Sequence, residues 1–261
     1  DRWRSGSYTV SMVKGPEWGG GLPSGFGDLL EYRLQSQIIA PASLTAPAKN
    51  DRRYAGVLSF GLHTHFSPGL VDFAVGGDLV AVGPQTGISG FQEWAHSVLD
   101  APSPQPATSN QIGNAVYPTA VASATMPFSL GGTMTSRPFV EVQAGAETLV
   151  RVGGDLIFGD MGRGDLMVRD GITGQLYNTT HSAENGVSFL LGGDVAYVAH
   201  SAYLPASQGY DLTNARSRLR AGVNWEGSTF GVFYGMTWMG KEFSAQPESQ
   251  VLGTLNLRFS F

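Results

Sequence analysis

The chain has 261 residues, of which 36 are Gly, 14 are Pro and 14% are charged, with no cysteine and a formal charge of -5. The lack of cysteine excludes disulfides, thiolate metal sites and cysteine nucleophiles, and the acidic balance argues against nucleic acid, which asks for a basic stripe. No apolar run approaches the roughly 18 residues of a membrane-spanning helix, yet a mean hydropathy of -0.05 also suits a transmembrane β-barrel, where only alternate strand residues meet lipid.

The chain opens on Asp1-Arg2-Trp3-Arg4, already inside a patterned segment, and is read as starting at a processed or truncated N-terminus. A period of two sends successive side chains to opposite faces of a strand. On that basis strands are predicted over 5–14, 28–40, 54–66, 70–82, 113–128, 137–147, 149–158, 186–200, 214–226, 228–241 and 251–261. Long connections fall at 15–27, 41–53, 84–112, 159–185 and 201–213. Short ones are marked by Ser67-Pro68-Gly69, Gly145-Ala146-Glu147 and Glu226-Gly227-Ser228. Their order suggests short turns at one end of a barrel and long loops at the other.

Within the first half, Gly76-Gly77-Asp78 begins a motif that returns as Gly153-Gly154-Asp155 and Gly192-Gly193-Asp194. It is read as a lumen-facing Asp beside glycines that ease strand bending. Between the fourth and fifth strands the pattern changes. Ser89-Gly90-Phe91-Gln92 has the spacing of a capping box, and Phe91, Ala95, Val98 and Leu99 then recur at helical spacing to about Asp100.

In 214–226, Ala215, Ser217, Leu219, Ala221, Val223 and Trp225 oppose Arg216, Arg218, Arg220, Asn224 and Glu226. Three arginines on one face cannot pack in a dry core. They would meet water in a soluble sandwich and a polar lumen in a membrane barrel, and Trp225 suits an aromatic girdle. The last segment alternates Val251, Gly253, Leu255, Leu257, Phe259 and Phe261 with polar residues, resembling the closing strand of bacterial outer-membrane barrels. The expectation is an all-β antiparallel transmembrane β-barrel spanning 1–261 as one domain, with a short helix in an extracellular loop. Single-chain bacterial barrels have even strand numbers, so eleven strands imply one missing or miscounted near the N-terminus.

Several side chains could carry chemistry. Gln92 and His96 are four residues apart and share a helix face; a histidine can serve as general base near neutral pH, or the pair can belong to an ordinary surface helix. His63 and His65 share a strand face at a spacing that can chelate a metal, or they simply add lumen polarity. His181 and His200 have no evident partner. The loop Gly19–Gly25 lacks the Lys-Ser/Thr of a phosphate loop and is read as flexible. Arg216, Arg218 and Arg220 could attract lipid phosphate or form a structural lumen network.

Asn50-Asp51-Arg52-Arg53-Tyr54-Ala55-Gly56, Gly76-Gly77-Asp78-Leu79-Val80-Ala81-Val82-Gly83-Pro84, Gln92-x-x-x-His96-x-Val98-Leu99 and Asn110-Gln111-Ile112 follow one another in an order and spacing that resemble the lipid A 3′-O-deacylase family. The resemblance implies a twelve-stranded barrel in the bacterial outer membrane, about eleven strands of it in this chain, with its active site between the wall and a short extracellular helix. It also implies hydrolysis of an ester-linked acyl chain on lipid A of lipopolysaccharide. His96 would activate water, Gln92 would be its helix-mate, and a calcium ion would polarise the carbonyl. Asp1–Thr9 resembles the second family strand, and Thr9 matches a site threonine.

The chain departs from the family pattern at three places. The first family strand, with an Asn-Asp pair of the metal site, precedes Asp1. The family's Lys-Arg pair has no counterpart in Ser43–Ala48, leaving Lys49 or Arg52 to hold substrate or oxyanion. The acidic metal ligand falls near Pro102, with Asp100 as a shifted candidate. The expected state is a monomer. The rival readings are a non-catalytic outer-membrane barrel, serving as pore or scaffold, and a soluble barrel holding an apolar ligand.

Overall fold

The computed structural model describes residues 2–180 and 185–259. Its wall begins with β1 (Trp3–Lys14), β2 (Leu30–Ala40), β3 (Ala55–Phe66), β4 (Asp72–Val82) and β5 (Ala115–Thr125). A short β6 (Phe128–Gly131) carries on beyond β5 and pairs with β7 (Met134–Ala144), followed by β8 (Glu147–Phe158). A separate hairpin of β9 (Met167–Arg169) and β10 (Leu176–Asn178) precedes β11 (Gly186–Ser201), β12 (Ala215–Glu226), β13 (Phe230–Met239) and β14 (Gln250–Phe259). Each expected strand is present, with its ends moved by no more than three residues. All wall neighbours pair antiparallel in chain order.

The alternation decides what each face meets. On β12, Leu219, Val223 and Trp225 are exposed, while Arg218, Arg220, Asn224 and Glu226 are buried inside. Val251, Leu255, Leu257 and Phe259 of β14 are likewise exposed; Phe261 lies outside the described residues. An apolar surface this extensive is stable only against lipid. The chain is an outer-membrane β-barrel, and the soluble barrel with an inward greasy face is overturned. Trp225 packs on Phe230 with ring centroids 4.9 Å apart, the aromatic rim that a membrane boundary favours.

The barrel is nearly closed. β1 and β14 run parallel to each other without strand pairing among the described residues. At one end of this seam the Gln250 side chain bridges them, accepting from Arg4 N at 3.2 Å and donating to Arg4 O at 3.0 Å.

Long connections occur at both ends, contrary to the expected separation. Segments 41–54, 83–114, 202–214 and 240–249 share the end that carries the helix; 15–29 and 159–180 occupy the other. The helical end has the longest connection and is taken as extracellular. At the far end, 159–180 folds inward and occupies part of the lumen, leaving a cavity of about 280 Å³ beside Arg33, His63, His65 and Arg137. Gln175 is fully buried there and donates to Ala221 O, Met236 O and Thr237 Oγ1 at 3.1–3.2 Å. Met161 and Leu176 pack on Ile157, Leu190 and Phe233 of the inner wall. The Gly-rich 19–25 segment docks beside this plug, where neighbouring Trp18 Nε1 donates to Gly164 O at 2.6 Å.

The repeated Gly-Gly-Asp motif has a more specific role than bending. β8 and β11 pair so that Asp155 faces Gly192 and Asp194 faces Gly153. Each Asp side chain therefore occupies space left by the glycine opposite, Asp155 through its carboxylate and Asp194 through its Cβ. Asp194 pairs with Arg151, Arg218 and Arg220, while Asp155 pairs with Arg169 of the plug and with Arg220. The three arginines predicted on one face of β12 are lumenal, two of them inside this network and Arg216 paired with Glu147.

Candidate active site between the wall and helix α1

The helix in the 83–114 connection, α1 (Ile88–Val98), lies on the outer face of the wall. Gly56 makes this possible: a Cβ there would come 2.6 Å from Thr86 Oγ1 and 2.8 Å from Ile88 Cβ. Gly87, with φ 72°, starts the helix without a side-chain cap. The predicted capping box is therefore not formed. Ser89 sits inside the helix instead, and its hydroxyl accepts from Gln111 Nε2 at 3.3 Å.

Gln92 is the one buried residue of α1, and its Oε1 has no hydrogen-bond partner among the described residues. His96, one turn on, is half-buried. After Val98 the chain reverses through Asp100, whose φ of 52° is left-handed, and Ala101 N returns to His96 O at 2.9 Å. This turn brings Pro102 O to 2.7 Å from His96 Nδ1. With Nδ1–H donating to that carbonyl, the basic lone pair of the neutral ring is on Nε2. The sequence carried no sign of this anchor, because it is a backbone oxygen.

A short helix α2 (Gln105–Thr108) braces the arrangement: Thr108 Oγ1 donates to Glu93 Oε1 at 2.5 Å. Tyr54 is fully buried nearby, and burial, followed by the Glu93 carboxylate, pushes its phenol well up. Its backbone extends the wall, since Ile112 N donates to Tyr54 O at 2.8 Å.

The sequence model of the family described as outer membrane protein LpxR matches residues 22–261. The chain belongs to that family. The structure of LpxR from Salmonella typhimurium aligns with a TM-score of 0.78 over 99% of this chain and 90% of that chain, at 16% sequence identity, so the fold is shared. No curated protein matches. A bacterial outer-membrane location agrees with both the family and the greasy outer wall.

Within this LpxR-family barrel, the expected site residues are not all together. Gln92 and His96 share α1 against the wall. Thr9 points into the lumen, where its Oγ1 accepts from Gln35 Nε2 at 3.0 Å, so the wall stands between it and α1. Asp100 is exposed in the turn after the helix. Lys49 and Arg52 line a different space, a cavity of about 310 Å³ at the extracellular mouth that Arg53, Tyr210 and Asp211 also border.

Arg52 is buried there; its Nη1 pairs with Glu242, while Nε and Nη2 have no partner among the described residues. Burial lowers the Arg52 pKa, against the opposing pull of Glu242. Glu242 behaves oppositely. Burial pushes its carboxyl up, but Arg4, Arg52 and Arg216 together outweigh this and hold it well below the usual carboxylate range.

The described residues do not fit a calcium site. Calcium takes about six to eight oxygen ligands, and no group of three or more His, Asp or Glu side chains converges among the described residues. Around α1 the side-chain oxygens include Gln92 Oε1, Asp100 and the Glu93 carboxylate, one oxygen of which already accepts from Thr108. His63 and His65 do not chelate either: they are buried in the lumen, 3.4 Å from Asp78 and 2.9 Å from Glu31. His200 is exposed on β11, and His181 lies outside the described residues.

Proposed function

We propose that this barrel is a hydrolase that removes an ester-linked acyl chain from lipid A, using His96 as general base. The observation that carries the reading is the Pro102 carbonyl held against His96 Nδ1 on a helix lying outside the wall. That bond fixes the tautomer and stabilises the imidazolium once Nε2 has taken a proton.

In the step itself, water oxygen attacks the ester carbonyl as its proton passes to His96 Nε2. The carbonyl carbon–oxygen bond to the sugar then breaks, and the proton returns to the departing alkoxide. The products are a free fatty acid and a lipid A hydroxyl. Gln92 supports the face that His96 presents to the wall.

Lys49 and Arg53 would hold the phosphorylated headgroup in the mouth cavity, with the fully buried Arg52 lying behind them. Calcium rests on family resemblance alone. Thr9, behind the wall, has no part in the step.

The non-catalytic pore is disfavoured by the plug, which occupies part of the lumen from the far end. Mass spectrometry of lipid A from cells producing the protein or its His96→Ala variant tests the proposal. The expected result is loss of one acyl chain with the first and none with the second; removal of a general base slows reaction by about 10²–10⁴. Equal deacylation by both, or none by either, rules the proposal out.

A further inference from the structure

We propose that α1 is seated in the membrane, with its Phe91–Trp94 face in the boundary between headgroups and acyl chains of the outer leaflet. The helix is turned opposite to what an aqueous surface would select. Its polar Gln92 is buried, while Phe91 and Trp94 are each 61% exposed, Val98 64% and Leu99 76%. Phe91 and Trp94 lie together, ring centroids 5.7 Å apart.

The occupant follows from continuity with the lipid-facing wall. Ile88 rests on the outer face of Gly56, and the next outward residues along β3 are Leu58 and Phe60, both exposed. Leu79, opposite Phe60 on β4, extends the same surface. At about 3.3 Å per strand residue, Leu58 lies about 7 Å and Phe60 about 13 Å along the strand from Gly56, so the exposed apolar wall starts within one helix diameter of about 10–12 Å. The apolar side of α1 therefore continues the belt at its upper edge. A helix with aromatic residues on its apolar side, lying along a bilayer, sinks that side about 5–10 Å into the boundary.

This seat would also place the Gln92–His96 face near the depth of lipid ester linkages. That consequence rests on the hydrolase reading; the membrane seat does not.

Trp94 is itself the probe. The full chain and its Trp94→Phe variant are reconstituted in phosphatidylcholine vesicles, with acyl chains either plain or brominated close to the ester end. The difference between the two proteins isolates Trp94 emission, and heat-dependent gel mobility confirms that both are folded. Bromolipid is expected to lower the Trp94 contribution roughly twofold or more, as for a ring at interfacial depth, and aqueous iodide to leave it nearly unchanged. Quenching by iodide without quenching by bromolipid would put the helix in water. Insensitivity to both would mean that protein, such as a second copy of the chain, covers the face. Either outcome overturns the proposal.

Discussion

Two adjacent glycines of β11 offer a direct test of how the lumen is packed. A Cβ added at Gly192 would run into Asp155 Oδ1 and come 2.7 Å from Arg220 Nε, opening the 2.7 Å bond between those side chains. Separating a buried ion pair costs about 3–5 kcal/mol. The entropy an alanine removes from the unfolded chain offsets about 0.4–1 kcal/mol, so Gly192→Ala should lose about 3 kcal/mol.

At Gly193 the added Cβ points outward and meets Leu219 Cδ2 at 2.9 Å. That atom is the tip of a lipid-facing side chain and can swing away. Gly193→Ala should therefore be neutral or slightly stabilising, within about 1 kcal/mol. Urea titrations of both variants in lipid vesicles, followed by tryptophan emission, compare the two. Gly153→Ala and Gly154→Ala repeat the contrast on β8: the first Cβ would come 2.5 Å from Asp194 Cβ, the second no closer than 3.5 Å to Pro138 Cα. Equal loss at both members of a pair, or greater loss at the outward one, would refute the reciprocal packing.

Asp194→Ala should cost about 3–5 kcal/mol in the same titration, because Arg151, Arg218 and Arg220 are left without their shared partner. The double change with Arg218→Ala should cost less than the sum of the single ones, and strict additivity would show that the pair is not coupled. Glu242 predicts a pH effect. Its folded-state pKa is depressed, so its contribution is present above the unfolded value of about 4.3 and is lost as pH falls. Glu242→Gln should accordingly flatten the decline in stability below about pH 5; unchanged slopes would rule this out. Calorimetric titration of the 261-residue chain with calcium should find binding no tighter than about millimolar, as expected of few oxygens. Micromolar binding would contradict the donor set seen around α1.

The wall was legible because lipid and lumen impose opposite demands on neighbouring residues. Arg216, Arg218 and Arg220 against Leu219, Val223 and Trp225 can satisfy both in only one register. Helix α1 was legible in its period, but the period does not say which way Phe91 and Val98 face. Its start was misplaced because Gly87 begins the helix through backbone conformation, while the Ser89 hydroxyl turns to Gln111. The partnership of His96 with Pro102 depends on a carbonyl, and the inward fold of 159–180 on contacts far apart in the chain, such as Gln175 with Met236. Local pattern reports neither. Gln92 and His96 were singled out as candidates by their spacing and by the family resemblance, whereas the separation of Thr9 from them appears only once the wall is in place.

The inward segment around Gln175 also changes the mechanics of the cylinder. An empty tube under the sideways squeeze of a bilayer flattens by hinging along its hydrogen-bonded ladders. Here a compressive load entering through β8 meets the charged and amide struts that cross part of the bore and is handed across to β12 and β13. The cross-section near the plug should hold its shape as the surrounding lipid stiffens or thins, leaving the Gln250-bridged seam as the compliant side.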